Sequence, residues 1–316
     1  MLRYSGNTMT IHFGNNYPSL NNPYVTVGVF DGVHLGHKAL LDQLVLKAGN
    51  AGRESVVITF EPHPKLVLPG TKSNLSLLST PEEKKELLGK SGINHLIIMP
   101  FTSELAGMGA GQFIKEILAR KIGAGYLLVG YDNHFGKGRD ADFISIREHA
   151  LMHGMETEQV GAIKGPGGFI SSTSIRNALM NGRLDTANAC LGYSYSLKGE
   201  VVAGKKIGHS LGFPTANIMV PENKLVPADG VYAVETITGA EKYYGMLSIG
   251  VNPTVNKGSR IRSVEVNIFG FDRDLYGQTL KVVFRYRLRD EKKFANTKQL
   301  SDQMKLDKIE ALRLLT

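Results

Sequence analysis

Two stretches of the chain carry residue types at spacings that suit phosphate chemistry. The first is Gly28-Val29-Phe30-Asp31-Gly32-Val33-His34-Leu35-Gly36-His37, which follows an apolar strand-like run and opens a helical pattern. Gly28 and Gly32 let backbone approach a ligand closely. A helix N-terminus offers unpaired N–H groups and the positive end of its dipole to an anion. His34 and His37 are three residues apart, so they share a face of the first turn. Two imidazoles there can donate hydrogen bonds to an α-phosphate as negative charge builds on it, and one such donor is typically worth about 3–4 kcal/mol. The same residues also read as a glycine-rich turn with two exposed histidines.

A partner motif comes late in the same half, Ile170-Ser171-Ser172-Thr173-Ser174-Ile175-Arg176. Ser171, Ser172 and Thr173 supply hydroxyls at a helix start, and Arg176, one turn in, can bind a β- or γ-phosphate. The alternative is a helix cap followed by a surface arginine. Open parallel sheets bind ligands beyond the carboxyl ends of their strands, which brings both motifs to one edge. Phe60-Glu61-Pro62-His63-Pro64 ends a strand at that edge, with His63 either a ligand contact or part of a proline-stiffened loop.

The second stretch is the glycine-punctuated basic loop Gly204-Lys205-Lys206-Ile207-Gly208-His209-Ser210-Leu211-Gly212-Phe213-Pro214-Thr215-Ala216-Asn217. Its backbone amides can cradle phosphates, although no Gly-Lys-Ser/Thr precedes a helix as in a Walker loop. Thr215 and Asn217 are two apart and face the same way on a strand. A hydroxyl and an amide oxygen suit Mg²⁺. Glu265, in Val264-Glu265-Val266-Asn267-Ile268, is either a solvated residue on a strand with inward valines or a general base for a substrate hydroxyl.

The elements that must position these groups change type along the chain. Up to residue 190, strands expected at Tyr24–Phe30, Ser55–Phe60, Asn94–Met99, Tyr126–Val129 and Glu156–Val160 alternate with helical segments at His37–Ala48, Thr80–Lys90, Gly111–Ile122, Asp142–His153 and Ser174–Met180. Thr80-Pro81-Glu82-Glu83 is a capping box with proline at the first helical position. This order predicts a parallel sheet covered by helices on both faces. From residue 191 the pattern becomes strand after strand: Lys198–Ala203, Gly230–Thr236, Tyr243–Val251, Ile261–Phe269 and Leu280–Leu288, then one amphipathic helix from Thr297 to Leu315. That predicts an α/β protein of two domains, 1–190 and 191–316, the second an antiparallel β-barrel closed by a terminal helix.

The 316 residues make room for about two domains of ~150 each. Hydrophobic residues make up 42% and charged residues 21%, an ordinary globular composition that excludes a disordered chain. The single cysteine, Cys190, rules out an internal disulfide and a cysteine-rich zinc site. With no apolar leader and no long apolar window, a cytoplasmic protein without a membrane partner is expected. The net charge of +8 divides unevenly, 18 basic against 16 acidic residues in 1–190 and 19 against 13 in 191–316. An anionic partner would suit this excess. Part of it alternates along one strand as Arg285, Arg287 and Arg289, and no run of five or more basic residues occurs.

The pairing of His-x-Gly-His with the late Ser-Ser-Thr-x-Ile-Arg resembles the nucleotidyltransferase superfamily with its Rossmann-like sheet. Within it, Gly28–His37, Thr59-Phe60-Glu61-Pro62-His63-Pro64 and Phe135-Gly136-x-x-Arg139 resemble the FMN adenylyltransferase module. Ala141 and Asn133 depart from that module, which usually has glycine and an aromatic there. Leu211-Gly212-Phe213-Pro214-Thr215-Ala216-Asn217 resembles the riboflavin kinase signature. Gly230-Val231-Tyr232, Gly250-Val251-Asn252-Pro253-Thr254, the Glu265 strand, Asp274-Leu275-Tyr276-Gly277 and Leu288-Arg289-Asp290-Glu291-x-x-Phe294 follow in that family's order. His209 stands where Arg or Lys is common, and Asn267 where His is common.

Together the modules resemble the bifunctional riboflavin kinase/FMN adenylyltransferase family. The resemblance implies phosphorylation of riboflavin to FMN by ATP, then adenylylation of FMN to FAD by a second ATP with release of pyrophosphate. Mg²⁺ is the implied metal, held with ATP by Thr215 and Asn217. Glu265 is the implied base of the first step, and His34, His37 and Arg176 stabilise the transition state of the second. Substrate contacts are implied for Gly28, Phe30, Asp31, Gly32, His63, Ser171, Ser172 and Thr173 in one module. In the other they are implied for Gly204, Gly208, His209, Pro214, Tyr232 and Asn252. The partners are then small molecules (ATP, riboflavin, FMN), with no nucleic acid expected.

Overall fold

The computed structural model describes residues 9–14, 17–68, 75–131, 142–204, 212–251 and 262–316. Backbone contacts group the chain into two units, Met1–Ser172 and Thr173–Thr316.

In the first unit the elements run β1 (Thr10–Phe13), β2 (Tyr24–Val27), α1 (Leu35–Asn50), β3 (Ser55–Glu61), α2 (Pro64–Val67), α3 (Pro81–Gly89), β4 (His95–Pro100), α4 (Ser103–Gly107), α5 (Ala110–Phe113), β5 (Tyr126–Gly130), α6 (Phe143–Leu151), β6 (Glu156–Val160) and the small hairpin β7–β8 (Lys164–Gly165, Gly168–Phe169). The strands form a six-stranded sheet in the order β1-β4-β3-β2-β5-β6, parallel throughout. Both faces are covered, which explains why β3 reads as an unbroken apolar run rather than an alternation. Val56, Ile58, Val25, Val27 and Leu127 pack on one face against Phe113, Ile117, Leu118 and Ile146. Val57, Leu96, Ile98 and Leu128 pack on the other against Leu40, Leu41 and Leu44 of α1 and Leu88 of α3.

Several local features differ from the sequence expectation, among them α2, α4, the β7–β8 hairpin, β1 and the helix over 111–122. Edge strand β1 was not foreseen; four residues with Phe13 exposed give a weak pattern. The single α-helix expected over 111–122 is a short α5 continued by a π-helix over Ile114–Ile122, which still buries Ile114, Ile117, Leu118 and Ile122 and ends at left-handed Gly123. The strand order reverses direction between β2 and β5. That reversal is the switch point where a parallel sheet opens a crevice, and the Gly28–His34 loop leaves β2 there.

Helix α7 (Ser172–Met180) begins at the division between the units. The second unit continues with α8 (Leu184–Leu191), β9 (Ser196–Val202), β10 (Ala216–Met219), β11 (Gly230–Thr238), β12 (Glu241–Val251), β13 (Arg262–Ile268), β14 (Thr279–Arg289) and α9 (Thr297–Leu315). The strands close into an antiparallel barrel, β10-β13-β12-β11-β14-β9. Alternate residues fill it: Val264, Val266 and Ile268 on β13, Leu280, Val282 and Phe284 on β14, Tyr232, Val234 and Thr236 on β11.

The sequence boundary at 190/191 falls at the end of α8, inside this unit. Asn188 explains why: its Nδ2 donates to the carbonyl of Phe284 (3.2 Å) and its Oδ1 accepts from the N–H of Tyr195 (2.8 Å). Nearby Cys190 is buried, and desolvation raises its thiol pKa. The arginines of β14 are engaged with carboxylates. Arg285 pairs with Glu235 (2.8 Å), Arg287 with Asp290 (2.6 Å), and Arg289 with buried Asp307 (2.6 Å). Among the described residues no helix is long and apolar enough to cross a membrane.

Candidate active sites

The first site is built on a strained turn. Between β2 and α1 the backbone takes positive φ at Phe30 (54°), Gly32 (79°) and Val33 (36°). Only the glycine adopts that region readily, and a β-branched residue there is an outlier. Such a conformation persists when its surroundings over-determine it, and here they do. The Phe30 ring is buried and lies where a Cβ on Gly28 would be, 2.9 Å from it. Buried Asp31 accepts from the N–H of Leu78 (3.1 Å), the N–H of Ser79 (3.0 Å) and the Ser79 hydroxyl (3.3 Å). The Gly32 N–H donates back to Ser79 Oγ (3.0 Å), and the Ser172 hydroxyl donates to the Asp31 carbonyl (2.9 Å).

That turn delivers His34 to the N-cap of α1, where its Nδ1 accepts from the His37 N–H (3.3 Å). With Nδ1 an acceptor, the neutral ring carries its proton on Nε2. The two rings stack, centroids 3.7 Å apart and 16° from parallel. A Cβ on Gly36 would sit 3.2 Å from the His34 ring, so that position must be small. Burial, with His34 alongside, holds the His37 imidazole well below its ordinary pKa, so His37 is neutral at neutral pH. Its Nδ1 is buried with no hydrogen-bond partner among the described residues. The first turn of α1 contains no acidic residue, which leaves its positive end open to an anion.

The remaining groups of this set are placed as follows. Ser171 and Ser172 are half-buried and Thr173 is exposed at the start of α7, while Arg176, one turn in, is buried. His63 caps α2, its Nδ1 accepting from the Lys65 N–H (3.1 Å). The Asp31 carboxylate ties the turn to the loop before α3.

The second site is built on ladder register. Asn217 of β10 pairs with Glu265 of β13, and Glu265 pairs on its other side with Ser248 of β12. The Thr215 hydroxyl reaches to 3.5 Å from Glu265 Oε2. Glu265 is half-buried beside these polar groups while Val264 and Val266 fill the core, so it is not a plain solvent-facing residue. A Cβ on Gly204 would lie 1.9 Å from Asn217 Nδ2, so a side chain there would push the Asn217 amide from its place. Thr215 and Asn217 bring a hydroxyl and an amide beside a carboxylate, a set of oxygen donors that fits Mg²⁺ together with water and substrate phosphate.

Asn267 is buried, and its Nδ2 donates to the carbonyl of exposed Pro214 (2.7 Å), which fixes the chain entering Thr215. A cavity of about 380 Å³ opens beside them, lined in part by Phe213, Phe271, Asp272 and Lys308. Tyr232 is fully buried in the barrel. Its hydroxyl donates to the Ala228 carbonyl (2.6 Å), Phe284 meets it edge-on at 5.1 Å, and burial raises its phenol pKa. Gly208, His209 and Asn252 lie outside the described residues, as do Asn133, Phe135-Gly136, Arg139 and Ala141.

Sequence reasoning passed over Ser79, Lys84 and Ser248, and marked Asn267 only as a departure from the family pattern. Lys84 had a readable signal, since it lies four residues before buried Leu88 and so on the inward face of α3.

Comparison with known proteins finds a separate family match for each part of the chain. A family model described as FAD synthetase matches residues 17–174, and one described as riboflavin kinase matches residues 191–315. The bifunctional riboflavin kinase/FMN adenylyltransferase of Listeria monocytogenes is 35% identical over 286 residues, 90% of each chain. That of Escherichia coli K12 is 35% identical over 288 residues, 91% of each. A solved structure from Streptococcus pneumoniae, titled as a macrolide-efflux protein, superposes with a TM-score of 0.82 at 31% identity, covering 95% of this chain and 97% of its own. The two family models follow one another along the chain, the curated relatives match it at 35% identity over 90% or more of each length, and the chain belongs to the bifunctional riboflavin kinase/FMN adenylyltransferase family.

Proposed function

We infer that the chain makes FAD from riboflavin in two ATP-dependent steps, with residues 191–316 carrying riboflavin kinase and residues 1–190 FMN adenylyltransferase. What supports this is that the two family models match successive parts of the chain, with His34 and His37 inside residues 17–174 and Thr215, Asn217 and Glu265 inside residues 191–315.

In the first step Glu265 accepts the proton of the ribityl 5′-hydroxyl as its oxygen attacks the γ-phosphorus of ATP, and ADP leaves. Thr215 and Asn217 are the residues that would hold Mg²⁺, which when bound neutralises phosphate charge. Gly204 leaves Asn217 its place, and Asn267 holds Pro214 and hence the approach to Thr215. Catalysis here is mainly positioning and charge stabilisation.

In the second step an FMN phosphate oxygen attacks the α-phosphorus of another ATP and pyrophosphate leaves. FMN is itself the nucleophile, so the protein supplies donors rather than a covalent partner. The Nε2–H of His34, the neutral His37 and the N-terminus of α1 meet the developing charge. Arg176 and the hydroxyls of Ser171, Ser172 and Thr173 are assigned to phosphate binding on the motif they belong to. A cytoplasmic location goes with this reading.

The test is purified full-length protein with riboflavin and Mg·ATP, resolving FMN and FAD over time. FMN should rise first and FAD follow, and a chelator should stop both. FMN without FAD, or FAD only from supplied FMN, would reduce the protein to one activity.

A further inference from the structure

The N-terminal unit contains a buried cation that the chemistry above does not use. Lys84 lies in the first half of α3 and is 8% exposed. Its Nζ donates to the Phe60 carbonyl (3.2 Å) and to Thr59 Oγ1 (3.4 Å), at the carboxyl end of β3. The Thr59 hydroxyl in turn donates to the carbonyl of Val29 (3.1 Å), inside the turn that leads to His34. A hydroxyl has one proton, so accepting from Lys84 directs that proton at Val29.

The lead-in to α3 holds the other side of the same turn, through Leu78 and Ser79 on Asp31 and Ser79 on Gly32. The reciprocal cap of Thr80 and Glu83 joins that lead-in to the helix. Helix α3 therefore grips the Gly28–Gly32 turn from two directions, and Lys84 is the side chain that does so from β3. Burying an ammonium costs free energy, and an apolar side chain of similar length would fill the space at less cost. Desolvation lowers the Lys84 pKa; the carboxylates of Glu61 and Asp31 act to keep its proton on, and Lys85 opposes them.

We propose that Lys84 is a positioning residue for adenylyl transfer: it fixes the end of β3 and, through Thr59, the backbone at Val29, and so the placing of His34 and His37. This rests on the reading of the N-terminal unit as the adenylyltransferase.

The test uses full-length Lys84→Met, Thr59→Val, Thr59→Ser and the Lys84→Met/Thr59→Val double variant, each assayed for FAD from supplied FMN and for FMN from riboflavin. Lys84→Met and Thr59→Val should lower kcat for FAD roughly 10- to 100-fold, since small misplacements of catalytic groups cost that much. KM for FMN and ATP should change less than about threefold, because ground-state binding contacts are retained. The double variant should be no worse than Lys84→Met alone, as for residues in one chain of contacts. Thr59→Ser, which keeps the hydroxyl, should restore turnover, and riboflavin phosphorylation should be unchanged throughout. Wild-type FAD turnover in folded Lys84→Met, or losses that simply add in the double variant, would overturn the proposal. If Lys84→Met does not fold, Thr59→Val and Thr59→Ser decide, because equal turnover in the two overturns it. A wild-type protein that makes no FAD from FMN would instead remove the functional reading and the proposal with it.

Discussion

The two sites place their polar groups by opposite means. The site on the parallel sheet uses irregular backbone: positive φ at Phe30 and Val33, a histidine at a helix N-cap, two stacked rings, and bonds to segments 47 and 141 residues away. The site on the barrel uses regular backbone, where Asn217, Glu265 and Ser248 are neighbours because three strands pair in one register. The first sets its histidines on a strained turn held by distant bonds, and the second obtains alignment from the hydrogen-bond ladder that also holds the fold together.

The most drastic way to break the comparison is to cut the chain. A fragment covering 173–316 should phosphorylate riboflavin and make no FAD. A fragment covering 191–316, which loses the Asn188 bonds to Phe284 and Tyr195, should have a lower Tm than the longer one. A folded but inert 173–316 fragment beside an active full chain would refute the division.

Next in size is Glu265→Gln, which keeps the shape but cannot accept a proton at neutral pH. Removing general-base assistance should lower kcat for FMN formation by about 10²–10⁴, or roughly 3–5 kcal/mol. Riboflavin affinity should change far less, and supplied FMN should still become FAD. Near-wild-type kinase turnover would return Glu265 to a mere strand residue.

His34→Ala or His37→Ala should cut FAD formation by roughly 10²–10³, the usual cost of one transition-state donor, with kinase turnover unchanged. Equal loss of both activities would point to misfolding.

A smaller effect is expected for Asn267→Leu. It removes the 2.7 Å donor to the carbonyl of exposed Pro214, a loss of about 0.5–1.5 kcal/mol. Kinase turnover and barrel stability should both fall, and unchanged values for both would show that the clamp is idle.

The smallest effect is a pH slope. Folding lowers the His37 pKa below its ordinary value of 6.5. As pH drops through 6.5 the unfolded chain takes up a proton that the folded one refuses. Stability of the N-terminal unit should therefore be full above that pH and decline below it. Thermal unfolding of wild type and His37→Asn between pH 8 and 5 tests this, with a shallower slope expected for the variant.

Local patterns carried much of this molecule into view. The Thr80–Glu83 cap, the Glu156–Val160 strand, the alternation of β13 and the His34–His37 spacing depend only on near neighbours along the chain. Long-range bonds did not show. The bonds that Asp31 accepts from Leu78 and Ser79, 47 and 48 residues away, leave no trace in the local pattern. The spacing to Leu88 puts Lys84 on the inward face of α3 but does not name its partners, Thr59 and Phe60, 25 and 24 residues back. The spacing of the histidines predicts a shared face but not that one ring would cap the other's N–H and stack on it. The backbone contacts divide the chain earlier than the sequence pattern does, at 172/173, and the bond from Asn188 of α8 to Phe284 of β14, across 96 residues, is one link that the pattern does not show.

The register of the barrel also makes its activity a reporter of folding. A one-residue slip in pairing turns every side chain of a strand to the opposite face. A slip of β13 would carry Glu265 into the core and a valine to the substrate, leaving secondary structure intact but the kinase silent. β10 contributes only four residues and is the strand that joins β9 to β13. Regain of riboflavin phosphorylation on dilution from denaturant thus marks the moment the barrel closes in its correct alignment, an endpoint that circular dichroism would not distinguish.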